Sequence, residues 1–248
     1  MGTRPTERRD ARRLALVALA VAALAALFLA SGRAGLSDVA RIHAEREMRQ
    51  WSAAAGEPEA AQWRTARESI ERGLAWVQGD PNLFELAAQL HFGFDPRGEP
   101  NYVERHELAL QYLERALVLR PASPYAWANL ALVRYRLGRD PESVMSAARN
   151  AAMLGPWEPE VSFAIADVGL ALWGELSAPD QAMVGGAIAR ASRRTPVEVL
   201  RIAEKRGRLA TSCLFIGKPE QNHGLAPAIG KQGGARTWQS LCESGGTK

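Results

Sequence analysis

The 248 residues carry 31 Lys and Arg against 27 Asp and Glu, and part of that +4 excess sits in an arginine-rich head. Such a balance leaves no basic stripe of the kind a nucleic acid needs. Ala and Leu are abundant, 47% of the chain is apolar and no long run alternates with period two, which excludes a strand-built fold.

Residues 1–13 include Arg4, Arg8, Arg9, Arg12 and Arg13, and an uncharged run follows from Leu14 to Ala30. Seventeen helical residues span about 26 Å, and Ser31 and Gly32 bring the run close to the roughly 30 Å hydrocarbon core. A cleaved signal peptide begins the same way, but its apolar run is shorter and Ala30-Ser31-Gly32 is a mediocre cleavage site. The reading is an uncleaved anchor: 1–13 a cytoplasmic basic tail, 14–32 a transmembrane helix, the rest across the membrane.

Residues 33–62 read as a juxtamembrane helical segment, with Leu36, Val39, Ile42 and Met48 as a thin apolar stripe and a break at Gly56-Glu57-Pro58. Helices are then expected over Trp63 to Val77 and Leu83 to Phe92, before a Gly- and Pro-rich loop from Gly93 to Pro100.

From Arg105 the pattern sharpens. Ala109, Tyr112, Leu113, Ala116 and Leu117 share one helical face, Pro121 and Pro124 interrupt it, and a second helix carries Trp127, Leu130, Ala131 and Tyr135. Small residues in these places let two helices cross closely. Pro81, Pro121, Pro156 and Pro196 are 40, 35 and 40 residues apart, against about 34 for a tetratricopeptide unit. Ile165-Ala166 follow Pro156 as Leu130-Ala131 follow Pro121. The expected fold is all-α, a single N-terminal transmembrane helix followed over 63–213 by a tetratricopeptide-like array of about three degenerate helix pairs.

Val161 to Trp173 is the most apolar soluble stretch, with Asp167 its only charge. An unpaired buried carboxylate is costly, so Asp167 either pairs with an arginine of the preceding unit, Arg134 or Arg136, or contacts a ligand. Helices over Ala178 to Arg193 and Pro196 to about Arg208 close the array. Residues 214–248 lose the helical period and read as a flexible tail. The chain's two cysteines, Cys213 and Cys242, either bridge in an oxidising compartment or remain free.

Chemistry is sparse. His106-Glu107 begins a zinc-protease motif, but position 110 is Leu, and there is no nucleophile elbow, phosphate loop or cysteine–histidine cluster. The expectation is no catalytic residue, no metal and no cofactor. The partner-binding candidates are Tyr125, Trp127, Arg134, Trp157, Asp167 and Trp173.

The run from Arg120 to Ala131, then Tyr135 to Gly138, Leu154 to Glu160 and Asp167 to Trp173 resembles the VpsP-type proteins of bacterial exopolysaccharide gene clusters. The resemblance implies a singly anchored inner-membrane protein with a periplasmic tetratricopeptide-like domain and no assigned catalysis. Its implied partners are other polysaccharide synthesis or export proteins. Two alternatives stand beside that scaffold: a glycan-binding or carbohydrate-active accessory protein using Asp167, Trp157 and Trp173, and an assembly factor of another envelope complex.

Overall fold

A computed structural model describes residues 5–54, 57–96, 101–216 and 242, the side chains of 5–12 excepted. Among the described residues there are helices and no strands: α1 (Pro5–Ala53), α2 (Ala60–Trp76), α3 (Pro81–Gly93), α4 (Tyr102–Leu119), α5 (Pro124–Arg136), α6 (Pro141–Leu154), α7 (Pro159–Ala171), a 3-10 turn (Trp173–Glu175), α8 (Ala178–Ser192), α9 (Pro196–Lys205) and α10 (Leu209–Cys213).

Proline opens helices here as well as ending them. Pro81, Pro124, Pro141, Pro159 and Pro196 each take the first position, where the missing N–H costs nothing. The residue before often completes the cap: Asp80 accepts from the Asn82 amide, Ser123 from Ala126 and Asp140 from Ser143. Pro121 and Pro156 sit three residues upstream of the true starts of α5 and α7, in the preceding turns.

The helices pack in successive pairs, α1 with α2, α3 with α4, α5 with α6 and α7 with α8. The alternate helices α1, α3, α5, α7 and α9 also touch in succession and make one continuous layer. Ala109, Leu113, Ala116, Ala126, Leu130 and Ala131 are all buried, so the small residues stand where the helices meet. One core runs from α3 to α10, a second joins α1, α2 and α3, and Tyr112 packs against both.

The N-terminal helix differs from its expected layout. At about 1.5 Å per residue its 49 residues reach about 74 Å without a break. Every described residue from Arg13 to Leu36 is exposed, and this apolar stretch is long enough to cross a membrane. Farther along, the same helix joins the array. The buried face is Ser37, Ala44, Met48 and Trp51; Leu36, Val39 and Ile42 of the expected stripe are exposed. Small Ser37 decides this, because it lets α1 approach α2 closely enough to donate to the Gly73 carbonyl at 3.2 Å. Within the expected juxtamembrane segment 33–62, α1 thus lies on the array from Ser37 to Trp51.

Trp51 and Trp63 fill the core, and Trp63 Nε1 donates to the Leu90 carbonyl at 3.1 Å, tying α2 to α3. α7 stops at Ala171, so Trp173 lies in the following turn. Cys213 and Cys242 are joined in a disulfide, with Cα atoms 5.5 Å apart. Trp238, Pro100, the Gly56 part of the expected break and the bulk of the expected flexible tail lie outside the described residues.

Candidate functional site

The layer of alternate helices carries an open groove of about 750 Å³, with Glu45, Met48, Arg49 and Ser52 from α1, Asn82, Glu85 and Gln89 from α3, Tyr125 and Asn129 from α5, and Glu160 from α7 on its walls. Several of these groups are already committed. Glu85 accepts from Arg120 at 2.6 Å and from the Ser123 hydroxyl at 2.9 Å, fastening α3 to the turn before α5. Glu45 is held by Arg41 at 2.7 Å and Arg49 at 3.2 Å. Tyr125 donates to Glu158 at 2.5 Å, and that hydrogen bond, ahead of burial and the carboxylate charges, pushes the phenol up to about 12.

Gln89, Asn129 and Glu160 are not committed. Their side chains have no hydrogen-bond or ion-pair partner among the described residues, and they stand on α3, α5 and α7, neighbours within that layer. Two amides that both donate and accept, followed by a carboxylate, can read the backbone of an extended chain and a cation on it.

A second, smaller cavity of about 260 Å³ lies where α7, α8 and α9 meet. Trp157, Pro159 and Ser162 line it from the start of α7, and Arg190, Arg193, Arg194 and Thr195 from the end of α8 and its link to α9. Trp157 is 74% exposed, with the Arg190 guanidinium 5.9 Å from a centre of its indole.

Of the six residues singled out from sequence, Tyr125 lines the groove and Trp157 the small cavity. The other four make contacts within the fold. Trp127 donates to the Pro121 carbonyl at 2.8 Å, Arg134 to the Ser143 carbonyl at 2.9 Å, and Trp173 stacks edge-on with Phe215 at 5.9 Å. Asp167 is paired, but not with the preceding unit. Arg206, just beyond α9, meets it at 2.7 and 2.8 Å, while Arg136 donates to the Phe92 carbonyl. Arg136 is drawn away because the carbonyls ending α3 carry the negative pole of the helix; Arg105 donates to Phe94 there as well.

Sequence reasoning missed Gln89, Asn129 and Glu160, since polar residues on an exposed helical face have no periodic signature. Arg190, Arg193 and Arg194 were missed as well, although their close spacing ahead of Pro196 is visible in the order of residues. Among the described residues no group of three or more His, Cys, Asp or Glu could hold a metal ion. No family model matches the chain, and no curated protein matches it.

Proposed function

We propose that this chain is a non-catalytic scaffold of bacterial exopolysaccharide synthesis or export. On this reading it is a single-pass inner-membrane protein with residues 1–13 in the cytoplasm and its helical array in the periplasm. The arginines before the apolar stretch support that orientation. Successive helix pairs with buried alanines at their crossings support a tetratricopeptide-like array. The resemblance in the segment from Arg120 to Trp173 supports the polysaccharide assignment.

The observation that carries the scaffold reading is the row Gln89, Asn129 and Glu160 along one groove. It suits an extended segment of a periplasmic partner protein, with a lysine or arginine of that segment meeting Glu160. Affinity in such a site is spread over several contacts, and no group on the row needs to react.

Complementation of a deletion strain tests this. Gln89→Ala/Asn129→Ala/Glu160→Ala removes only uncommitted side chains, so the fold should persist. At matched protein level, secreted polysaccharide should fall to that of the deletion. Polymer at the wild-type level from this folded triple variant would overturn the reading.

A further inference from the structure

Several arginines of this array tie separate elements together: Arg120 meets Glu85, Arg139 meets Glu107, Arg149 meets Asp180 and Arg206 meets Asp167. The cavity between α7, α8 and α9 gathers three arginines without such a tie, Arg193 and Arg194 of them exposed. Arg190, Arg193 and Arg194 converge there, and none makes a hydrogen bond or ion pair with its guanidinium among the described residues. With five N–H donors on each, the cluster offers a dense set of unused donors. Arg190 Nε is buried and without a partner. Burial, and after it the charge of Arg193, lowers the affinity of Arg190 for its proton.

The end of α8 does attract cations, because its carbonyls are the negative pole of the helix. That effect is worth about 0.3–1 kcal/mol per charge and falls off within a turn, so it does not account for three arginines crowded together. Ser162 adds an independent sign. The residue is 3% exposed, it lines the cavity, and its hydroxyl has no partner among the described residues. A buried polar side chain left open toward a cavity calls for a ligand or water there.

Trp157 narrows the class. It leaves three-quarters of its surface in solvent, in a chain whose Trp51 and Trp63 are buried. Gly155 positions it: a Cβ there would stand 2.6 Å from Pro124, so only glycine lets the turn before α7 seat against α5. An exposed indole beside arginines gives a flat apolar surface next to a bidentate anion receptor. At about 260 Å³ the cavity lies just below the roughly 300–1,000 Å³ of pockets for drug-sized ligands. It has room for a single ring rather than a length of peptide.

We propose that the α7–α8–α9 junction binds one anionic sugar unit, a pyranose bearing a carboxylate or phosphate. Arg193 and Arg194 would take the charge, Ser162 a ring hydroxyl and Trp157 the apolar face of the ring. The choice of a sugar rests on the polysaccharide reading. The groove variants leave this cavity intact and the cavity variants leave the groove intact, so the two readings fail separately.

The test is binding by full-length protein in detergent, followed by calorimetry or by indole NMR signals. The probes are glucuronate, glucose 1-phosphate, glucose, inorganic phosphate and a hexaglutamate peptide. At least one of the two anionic sugars should bind tenfold or more tighter than glucose, inorganic phosphate and the peptide. Glucuronate alone would assign a carboxylate, and glucose 1-phosphate alone a phosphate. Arg193→Ala/Arg194→Ala should weaken that binding at least tenfold. Trp157→Ala, at an exposed position, should erase the preference over inorganic phosphate, and it keeps the test decisive if the arginine variant unfolds. Equal binding of glucose, of phosphate or of the peptide, or no effect of the folded variants, would overturn the proposal.

Discussion

Asp167 and Arg206 meet through two parallel hydrogen bonds of 2.7 and 2.8 Å, and both side chains are more than four-fifths buried. Arg206 also donates to the Tyr135 hydroxyl at 3.0 Å and lies 4.8 Å from its ring centre. One guanidinium thus joins α5, α7 and the end of α9. The Asp167 hydrogen bonds, outweighing burial, raise the affinity of Arg206 for its proton.

Asp167→Asn should therefore act on stability. Breaking a fully buried pair costs about 3–5 kcal/mol, and the residual exposure here brings the expected loss to about 2–3 kcal/mol. For a domain of this size that is a fall of about 5–10 °C in melting temperature. Polysaccharide secretion at matched protein level should stay near wild type. Loss as complete as in the deletion, from a folded variant, would make Asp167 a functional group and not a tie.

His91 should make stability depend on pH. Its ring lies edge-on to Trp63 at 5.3 Å and stacks on Tyr112 at 5.8 Å. Burial first, then the charges of Arg67, Arg105 and His106, lower it from 6.5 to about 4. Between those values the unfolded chain binds a proton that the folded chain refuses. Stability is thus full above pH 6.5 and declines as the pH falls toward 4, by roughly 3 kcal/mol in all. His106, lowered chiefly by burial, acts in the same direction. Denaturant titrations from pH 7.5 to 4 should show the decline, and His91→Phe should remove the larger part of it. An unchanged slope in that variant would disprove the assignment.

The crossing of α7 and α8 has no spare room at Gly169, where a Cβ would fall well inside 3.0 Å of the Val184 side chain. Gly169→Ala should destabilise by about 1–3 kcal/mol despite alanine's better helix propensity. Val184→Ala opens the missing space, so the double variant should be more stable than additivity allows. Strict additivity in thermal melts would show that the two residues do not meet.

The Cys213–Cys242 bond spans 29 positions, and closing such a loop is worth about 3–4 kcal/mol in the chain-entropy account. Reduction should lower the melting temperature, and peptide mapping without reductant should recover the linked pair. The bond also reports on orientation, since disulfides persist in oxidising compartments. If alkylation of intact cells traps both cysteines as free thiols, the array does not face the periplasm.

How far the chain could be read in advance differs from element to element. Ala109, Ala116 and Ala131 announced buried crossings because close approach of two helix backbones demands small side chains at helical spacing. The α1 face could not be read by the same rule. Its contact with α2 runs through Ser37 and Ala44, and the larger Leu36, Val39 and Ile42 point away, so apolarity was a poor guide to burial there. The groove row was invisible because Gln89, Asn129 and Glu160 come together only when three separate helices stack. Asp167 needed a cation, but the choice of Arg206 over Arg134 and Arg136 followed from where α9 ends and from the carbonyls that had already claimed the other two.

By itself, the order of residues determined what local physics controls: helices opened by proline and capped by Asp or Ser, an apolar stretch able to span a bilayer, and alanines wherever backbones must approach. Each of these depends on neighbours a few positions away, and helical periodicity carries that information. Tertiary structure decided the unbroken passage of α1 from exposed apolar stretch to array, the partner of Asp167, the free row in the groove and the arginines around Trp157. Those depend on which helix faces bury one another, and stacking sets that over the whole array at once.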